Sequence, residues 1–217
     1  MANNTHLYGF RWLGSGGNAS DQPPVEEIPI GSHYQPAATG NSVDLRIGDP
    51  VRRTSTGALA LSVAGEAIYG VLVGFTPVLL SGKMTPSLKW PGGTIYGASS
   101  GVLVPEPKRT YGRVVRCMPG QKFQIDCDDA STATTEAAYQ ALVGENCDHA
   151  VPSDISDTAN PTANPMLDIS THVTTTAQWR IVDVSRSFWN KDFTGLYVKL
   201  IVVCNETQEA PYVTTGV

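Results

Sequence analysis

Two blocks of β-patterned sequence, one in the first half of the chain and one at its end, constrain the fold more than any other feature. The first block holds an alternating run at 43–51 and a β-branched and aromatic run at 67–75. The second holds similar runs at 178–184 and 195–203. Alternation and β-branched enrichment are typical of strands. The sequence therefore predicts an all-β fold: a small β-barrel-like domain with an extended N-terminal arm, long loops and one short helix.

Glycines and prolines divide the chain into segments. The 21 glycines and 15 prolines together make up a larger share of the 217 residues than the average of about 12%. Residues 1–42 combine such breakers with scattered aromatics, which predicts an extended arm that attaches to a surface; a locally packed or frayed terminus is the alternative. Residues 43–217 are predicted to form the β-barrel-like domain, with loop insertions at about 76–111 and 145–169.

Local signals add detail within that domain. The alternating runs 113–117 and 122–127 flank a Pro-Gly pair, which predicts a β-hairpin. Alanine-rich residues 134–143, with a threonine cap at the start and a glycine after the end, predict the helix. Gly70 and Gly74 interrupt a strand-like run, so we expect bulges or tight bends that curve the sheet there.

The charge pattern argues against a nucleic-acid partner. The formal net charge is −5, and the stretch between Lys122 and Arg180 carries carboxylates but no Lys or Arg. Basic residues instead form short pairs at 52–53 and 108–109, whereas nucleic-acid binding needs positive charge over a broad face. The N-terminus lacks a signal-peptide pattern, and no apolar run approaches the roughly 20 residues of a membrane span. We therefore expect neither nucleic acid nor a membrane as a partner.

The sequence contains no recognisable catalytic or metal-binding motif. The four histidines have no partner at metal-ligand spacing, and neither a nucleophile elbow nor a phosphate-binding loop occurs. Asp126, Asp128 and Asp129 could offer oxygen ligands to Ca²⁺, but they lack EF-hand spacing, and a solvated acidic turn is the simpler interpretation. We expect a protein that is not an enzyme and has no metal or cofactor. Free buried thiols and one or two disulfides both stay open for the four cysteines, which match no zinc or redox template: Cys117, Cys127, Cys147 and Cys204.

Four stretches of the chain, taken in their order along the sequence, resemble a known protein family. They are 4–12 with its Tyr8-Gly9-Phe10-Arg11 element, 47–51 followed by 67–75, the two strand-like runs in 113–127, and 179–184 leading into 196–208. Together they cover roughly half of the chain and resemble the capsid cement, or head decoration, proteins of tailed bacteriophages. The chain departs from that family in the Pro- and Gly-rich insertion at about 76–107 and in the segment 145–169.

The resemblance implies a non-enzymatic structural protein of the virion, made in the host cytoplasm, that binds the outer surface of a phage capsid and stabilises the head lattice. Its implied partners are the major capsid protein and neighbouring copies of itself, in a homo-oligomer such as a trimer. The contact candidates are aromatic and basic side chains: Tyr8, Phe10, Trp12, Arg52, Arg53, Lys108, Arg109 and Trp189. Core burial is the alternative for Trp189.

Two other functions stay open on the sequence. A host-adhesion or carbohydrate-binding virion protein would use Trp90, Trp189 and the acidic residues at 126–129. A minor structural protein of the tail or neck would use a similar small barrel. Trp179, which lies inside the second β block, is predicted to be a core residue rather than part of a glycan site.

Overall fold

The computed structural model describes residues 9–14, 23–30, 45–55, 57–76, 78–80, 83–85, 111–128, 131–150, 165–188, 190–194 and 196–208. Most of the regular structure in these residues is β, which confirms the predicted all-β fold class. The strands are β1 Arg11–Gly14, β2 Val25–Pro29, β3 Pro50–Arg53, β4 Leu59–Leu61, β5 Gly70–Phe75, β6 Val78–Leu80, β7 Lys83–Thr85, β8 Tyr111–Arg116, β9 Lys122–Asp126, β10 Asn146–Ala150, β11 Met166–Val173, β12 Trp179–Val184 and β13 Lys199–Cys204, with one helix, α1 Glu136–Ala141.

Two large antiparallel sheets organise these strands. The six-stranded sheet has the order β1-β9-β13-β12-β10-β11, and the five-stranded sheet has the order β2-β8-β5-β3-β4. Strands β6 and β7 pair only with each other. Both sheets join strands that are distant in the sequence, so the fold depends on long-range pairing.

Both large sheets are strongly curled. In each sheet, two strands that are not adjacent in the strand order come into contact. Ile30, directly after β2, makes an isolated parallel bridge with Leu59, so the two edges of the five-stranded sheet touch at one residue pair. In the six-stranded sheet, Cys127 makes the same kind of bridge with Leu167 of β11. A single bridge does not close a barrel. Across the described residues the fold is therefore two barrel-like, curled sheets, with no closed barrel.

The two curled sheets enclose two apolar cores, and the larger one lies between them. The larger core is built on the six-stranded sheet and includes Trp179, Phe123 and Tyr139, together with Val71 and Val115 from the facing side of the five-stranded sheet. The smaller core fills the concave side of the five-stranded sheet. Its fully or nearly fully buried members are Ile28, Leu45, Val51, Leu59, Leu61, Tyr69, Leu72, Phe75 and Val114. The five-stranded sheet is therefore buried on both faces.

The predicted hairpin around the Pro-Gly turn is wrong. Strands β8 and β9 exist, but they belong to different sheets, so the turn carries the chain from one sheet to the other. The reason lies in β8, where adjacent Val114 and Val115 are both fully buried, one in each core. A strand buried on both faces needs a layer on either side, and a two-stranded hairpin with β9 cannot supply both.

Two segments predicted to lie outside the β framework contribute strands to it. Within the predicted arm 1–42, β1 pairs with β9 and β2 pairs with β8, so the described pieces are edge strands of the two sheets. Within the predicted loop insertion 145–169, β10 begins at Asn146 and β11 begins at Met166. The sequence of β10 is polar and therefore resembles a loop, but Asn146 and His149 are buried and hydrogen-bonded in the fold.

The helix forms where the sequence predicts it. Thr135 is its N-cap, and the Thr135 hydroxyl accepts a hydrogen bond from the backbone N–H of Ala138. Gly144 follows the helix with φ +100°, a conformation that glycine adopts without strain. Tyr139 is the residue that ties the helix to the larger core.

The five-stranded sheet contains an irregularity at the glycines of β5, where the sequence predicts one. The register between β5 and β8 shifts between Leu72 and Gly74, which is the bulge that the sequence predicts. A Cβ atom on Gly70 would collide with the Val115 carbonyl oxygen and a Val114 methyl group. A Cβ on Gly74 would come no closer than 3.8 Å to the Arg113 side chain. Gly70 is therefore required by close backbone approach, and Gly74 is not.

Replacing Gly70 by alanine is expected to lower the free energy of unfolding by about 1–3 kcal/mol, because the obstructing atoms include backbone that cannot rotate away. Gly74→Ala, in the same strand, is the matched control and is expected to change stability far less. Urea unfolding followed by tryptophan fluorescence measures both variants. Equal losses in the two would contradict the packing found at Gly70.

Candidate interaction surfaces

The basic residues predicted as contacts lie in a charged network on the five-stranded sheet. The guanidinium carbons of Arg53 and Arg116 lie 4.9 and 5.9 Å from the centroid of the Tyr69 ring. Glu26 accepts a hydrogen bond from the Tyr69 hydroxyl and forms ion pairs with Arg53 at 3.7 Å and Arg116 at 3.8 Å. Burial, and then the hydrogen bond to Glu26, raise the pKa of Tyr69. The network is thus internally paired, while the Arg53 side chain stays 41% exposed.

Arg52 is paired within the chain as well. Its Nε atom lies 2.8 Å from a carboxylate oxygen of Glu66, and both side chains remain about one-third exposed. The backbone of Arg53 is held by Gln208, which accepts from the Arg53 N–H and donates to the Arg53 carbonyl oxygen. Exposed ion pairs contribute only about 0–1 kcal/mol. These arginines can therefore exchange an internal carboxylate for one on a partner at little cost.

A second exposed feature is the loop that joins β12 to β13. Its base is fixed by Asn190, whose amide nitrogen donates to the carbonyl oxygens of Ser185 at 2.7 Å and Lys199 at 3.0 Å. The Asn190 amide oxygen accepts the Lys199 backbone N–H at 2.9 Å. The Ser185 hydroxyl accepts from the Gln124 amide at 2.8 Å. These buried hydrogen bonds hold the loop against the outer face of the six-stranded sheet.

The same loop presents an aromatic side chain to solvent. Phe188 is 69% exposed, more than any other large hydrophobic residue in the described part of the chain. The Lys191 ammonium group lies 3.7 Å from the centroid of its ring, and Leu196 on the same loop is also exposed. Aromatic residues with this exposure are enriched at interfaces, where they act as binding hot spots. We call residues 185–198 the anchored loop.

A buried ion pair lies beneath the anchored loop. Lys199 and Asp126 occupy directly opposite positions on β13 and β9, with 3.5 Å between Nζ and Oδ1. Their side chains are 1% and 7% exposed. The Lys199 ammonium also donates to the Tyr197 carbonyl oxygen. Asp126 is therefore buried in an ion pair and is not presented to solvent as a Ca²⁺ ligand.

Asp128 is half-buried, and Asp129 lies outside the described residues. Within the described part of the chain, no group of three or more His, Cys, Asp or Glu side chains is arranged to hold a metal ion. No helix there is long and apolar enough to cross a membrane.

Polar side chains also join the two sheets to each other. The Nε2 atom of fully buried His149 lies 2.8 Å from the Ser62 carbonyl oxygen, and its Nδ1 atom accepts from the Trp179 indole N–H at 3.3 Å. Gln178 donates to the Val63 carbonyl oxygen at 2.7 Å. Because Nδ1 accepts, the ring is the neutral tautomer with its proton on Nε2. Burial is the main reason that the pKa of His149 is lowered from 6.5.

Stability is expected to fall on mild acidification because of His149. Its folded-state pKa lies below its unfolded value, so the unfolded chain takes up a proton first. The stabilisation is complete above pH 6.5 and is lost as the pH falls from 6.5 towards the folded-state pKa. Urea midpoints measured at several pH values between about 7.5 and 5.5 should show this loss.

His149→Gln should flatten that pH dependence. An unaltered slope in the His149 variant would contradict the assignment.

The two described aromatics predicted as arm contacts lie within the fold. Phe10 is 2% exposed and stacks on Trp179 with ring centroids 4.2 Å apart, so it does not belong to a contact surface of the folded chain. Trp12 is half-buried, and its indole N–H donates to the Gln121 amide oxygen at 2.5 Å. The placement of Trp179 in the core is as the sequence predicts. The other candidates lie outside the described residues: Tyr8, Lys108, Arg109 and Trp189.

The sequence predicts Trp189 as a contact residue, but it does not predict the roles of its neighbours Phe188 and Asn190. An aromatic pair in an otherwise polar turn was the available signal for Phe188. Nothing in the sequence distinguishes Asn190 from an ordinary turn residue, because its role depends on how the fold places Ser185 and Lys199, at the ends of the two strands that the loop joins.

Comparison with known proteins adds no relatives. No protein-family model, no curated protein and no solved structure matches this chain.

Proposed function

We propose that this chain is a non-enzymatic structural protein of a virion, which binds the outer surface of a tailed-phage capsid and stabilises the head lattice. The resemblance in four ordered stretches suggests this role. The all-β fold, with two curled sheets that share a core, is the kind of rigid unit that a surface-binding protein needs. The major capsid protein is the proposed partner, and neighbouring copies of this chain are the proposed second contact.

The observation that carries the proposal is the exposed Phe188 on the anchored loop. An exposed phenylalanine on a mobile loop would lose conformational freedom on binding, which weakens association. Here Asn190 and the strands beneath it hold the loop before any partner arrives, so less entropy is lost. An aromatic anchor of this kind, with positive charge beside it from Lys191, suits a partner surface that has an apolar pocket and acidic neighbours.

The charged network on the five-stranded sheet supports the same role in a secondary way. Arg52 and Arg53 are paired but accessible, so they can rearrange towards carboxylates of a neighbouring molecule. Rim charges of this type affect the association rate and the salt dependence more than the affinity. We therefore assign binding strength to the anchored loop and place the arginines at the edge of the interface.

Phe188→Ala is expected to weaken binding to heads about 30-fold, the effect of losing a hot spot of about 2 kcal/mol. The assay is co-sedimentation of purified protein with undecorated heads assembled from the major capsid protein of the same virus. Met118→Ala, which removes another exposed apolar side chain from the turn between β8 and β9, is the matched control and should bind like the wild type.

A wild-type chain that fails to co-sediment with heads would contradict the proposal. Binding to a glycan array instead would favour a host-adhesion protein. A copy number of only a few per particle would favour a minor tail or neck protein. Head binding that is identical in the Phe188 and Met118 variants would place the interface elsewhere on the molecule.

A further inference from the structure

We propose that the outer face of the six-stranded sheet, which is turned away from the larger core, is a contact surface for a second copy of this chain. Among the described residues, three cations on this face form no ion pair, and two carboxylates on it lie directly opposite each other. Each group lacks what the other provides, and a second copy can provide both. The inference rests on the part of the proposed function that involves neighbouring copies, but the contact itself requires no capsid.

The strand register places three basic side chains on the outer face. Arg180 of β12 lies opposite Val203 of β13, and Val203 lies opposite Lys122 of β9. Residues directly opposite each other in an antiparallel pair share one face of the sheet. Arg11 of β1 lies opposite Gln124, whose amide supports the anchored loop on the same face. All three basic residues are exposed, and we call them the cation patch.

The cation patch differs from the basic residues of the other sheet. On the five-stranded sheet, four arginines each pair with a glutamate: Arg52, Arg53, Arg113 and Arg116. Within the described part of the chain, no member of the cation patch forms an ion pair. The Arg180 guanidinium donates instead to the neutral Asn146 amide oxygen at 3.1 Å. The patch can therefore accept carboxylates from a partner without breaking an internal ion pair.

Two carboxylates face each other on the same side of the sheet. Asp148 of β10 and Asp168 of β11 are directly opposite in the register. Cys147, Leu167 and Ile169 beside them belong to the larger core, so by alternation the two carboxylates point to the outer face. Neither forms an ion pair with another described residue. Like charges in directly opposite positions destabilise a sheet, and a cation from a partner would relieve this repulsion. We call the two residues the acidic pair.

A second copy fits both features at once. Because the cation patch and the acidic pair share one face, a two-fold rotation places each of them against the other one in the second copy. Half-buried Val203, between Lys122 and Arg180, adds apolar area to the contact. Val203 lies four residues along β13 from Lys199, a distance of about 13 Å. The contact therefore leaves the anchored loop, which lies over Lys199, available to another partner.

A nucleic acid is the other anionic partner that three cations could attract. It would neutralise the cation patch, but it would add negative charge beside the acidic pair and leave that repulsion in place. The formal net charge of −5 also opposes binding to a polyanion. A second copy of the chain removes both deficits, so the charges favour it.

The first test is sedimentation velocity of the purified full chain over a range of concentrations. Reversible self-association is expected at about 50 mM NaCl, and it should weaken by about tenfold or more at about 500 mM NaCl, where exposed charges are screened. Lys122→Glu should weaken the association at low salt by about tenfold, because like charges then meet across the interface. Arg113→Glu is the matched control: it makes the same change in net charge at an exposed position of the five-stranded sheet, and it should associate like the wild type.

A charge-swap experiment tests the pairing itself. One variant reverses the cation patch, with Arg11, Lys122 and Arg180 replaced by glutamate, and the other reverses the acidic pair, with Asp148 and Asp168 replaced by lysine. Each variant alone should stay monomeric, because both contacts of its dimer join like charges. An equal mixture of the two should associate again, since both contacts of the mixed dimer join opposite charges.

Three results would overturn the proposal: a wild-type chain that stays monomeric at low salt, equal effects of Lys122→Glu and Arg113→Glu, or folded swap variants that stay monomeric when mixed. If a swap variant does not fold, the comparison of the two single variants decides. A chain that self-associates as expected but does not bind heads would contradict the capsid role and support this surface. A monomeric chain that binds heads would do the reverse.

Discussion

Asp126→Ala is expected to lower the free energy of unfolding by about 3–5 kcal/mol, the typical cost of removing one partner of a buried ion pair. The Lys199 ammonium would remain 1% exposed beneath the anchored loop, with the carboxylate that lies opposite it removed. An effect of this size is exceptional for a single substitution and indicates that a buried interaction has been broken. Urea unfolding at neutral pH measures the loss.

The matched experiment removes both charges. In the double variant Asp126→Ala with Lys199→Met, the buried position keeps a long apolar side chain and no charge, so most of the lost stability should return. A single variant that loses less than about 1 kcal/mol would contradict the buried pair. The double variant also tests the anchored loop, because its Asn190 hydrogen bonds use the backbone of residue 199 and should survive the substitution.

Phe10→Ala is expected to destabilise the protein by about 3–5 kcal/mol, which is typical for removing a buried aromatic ring. The ring stacks on Trp179 and contacts the edge of His149 with centroids 6.2 Å apart. Its removal would leave a cavity between the first strand and the centre of the larger core. Thermal and urea unfolding both report the loss.

Leu13→Ala is the control for Phe10, since Leu13 lies in the same short segment but is exposed. It is expected to change stability by less than about 0.5 kcal/mol. The pair distinguishes an arm that only attaches to a partner from one that is part of the core. If Phe10→Ala kept full stability and lost only head binding, the residue would belong to a contact surface, contrary to its burial.

The parts of the fold that the sequence predicts well are those where local pattern and burial agree. The run at Trp179–Val184 alternates because only one face meets the larger core, and it forms β12 over the same residues. The helix is predicted because Thr135 and Gly144 mark both of its ends within the local sequence. The bulge at Gly74 follows from glycine placement in an apolar run.

The parts that the sequence does not predict depend on distant partners. β10 is stabilised by the buried polar contacts of Asn146 and His149, and a polar strand looks like a loop until its partners are known. The pairing of β8 depends on two separate cores rather than on the Pro-Gly turn beside it. Phe10 and Trp12 have the same aromatic character in the sequence, yet Phe10 is fully buried in the larger core against Trp179, whereas Trp12 packs against that core and stays partly exposed.

The candidate interaction surface is also predicted only in part by the sequence. The sequence identifies the basic pair Arg52-Arg53, but it does not reveal that Glu66 and Glu26 neutralise the two residues from other parts of the chain. It also marks an aromatic pair in the turn after β12. The rigidity that makes Phe188 a credible anchor comes from Asn190 and the strands beneath it, which only the folded structure brings together.

The most direct test of the proposed capsid role is a cryo-EM reconstruction of the heads of a phage whose genome contains this sequence. The account predicts repeated density for two curled β-sheets on the outer face of the head, with the anchored loop buried against the major capsid protein. A head surface without that density would contradict the account, as would the same fold seen only at the neck or tail or an anchored loop that faces solvent.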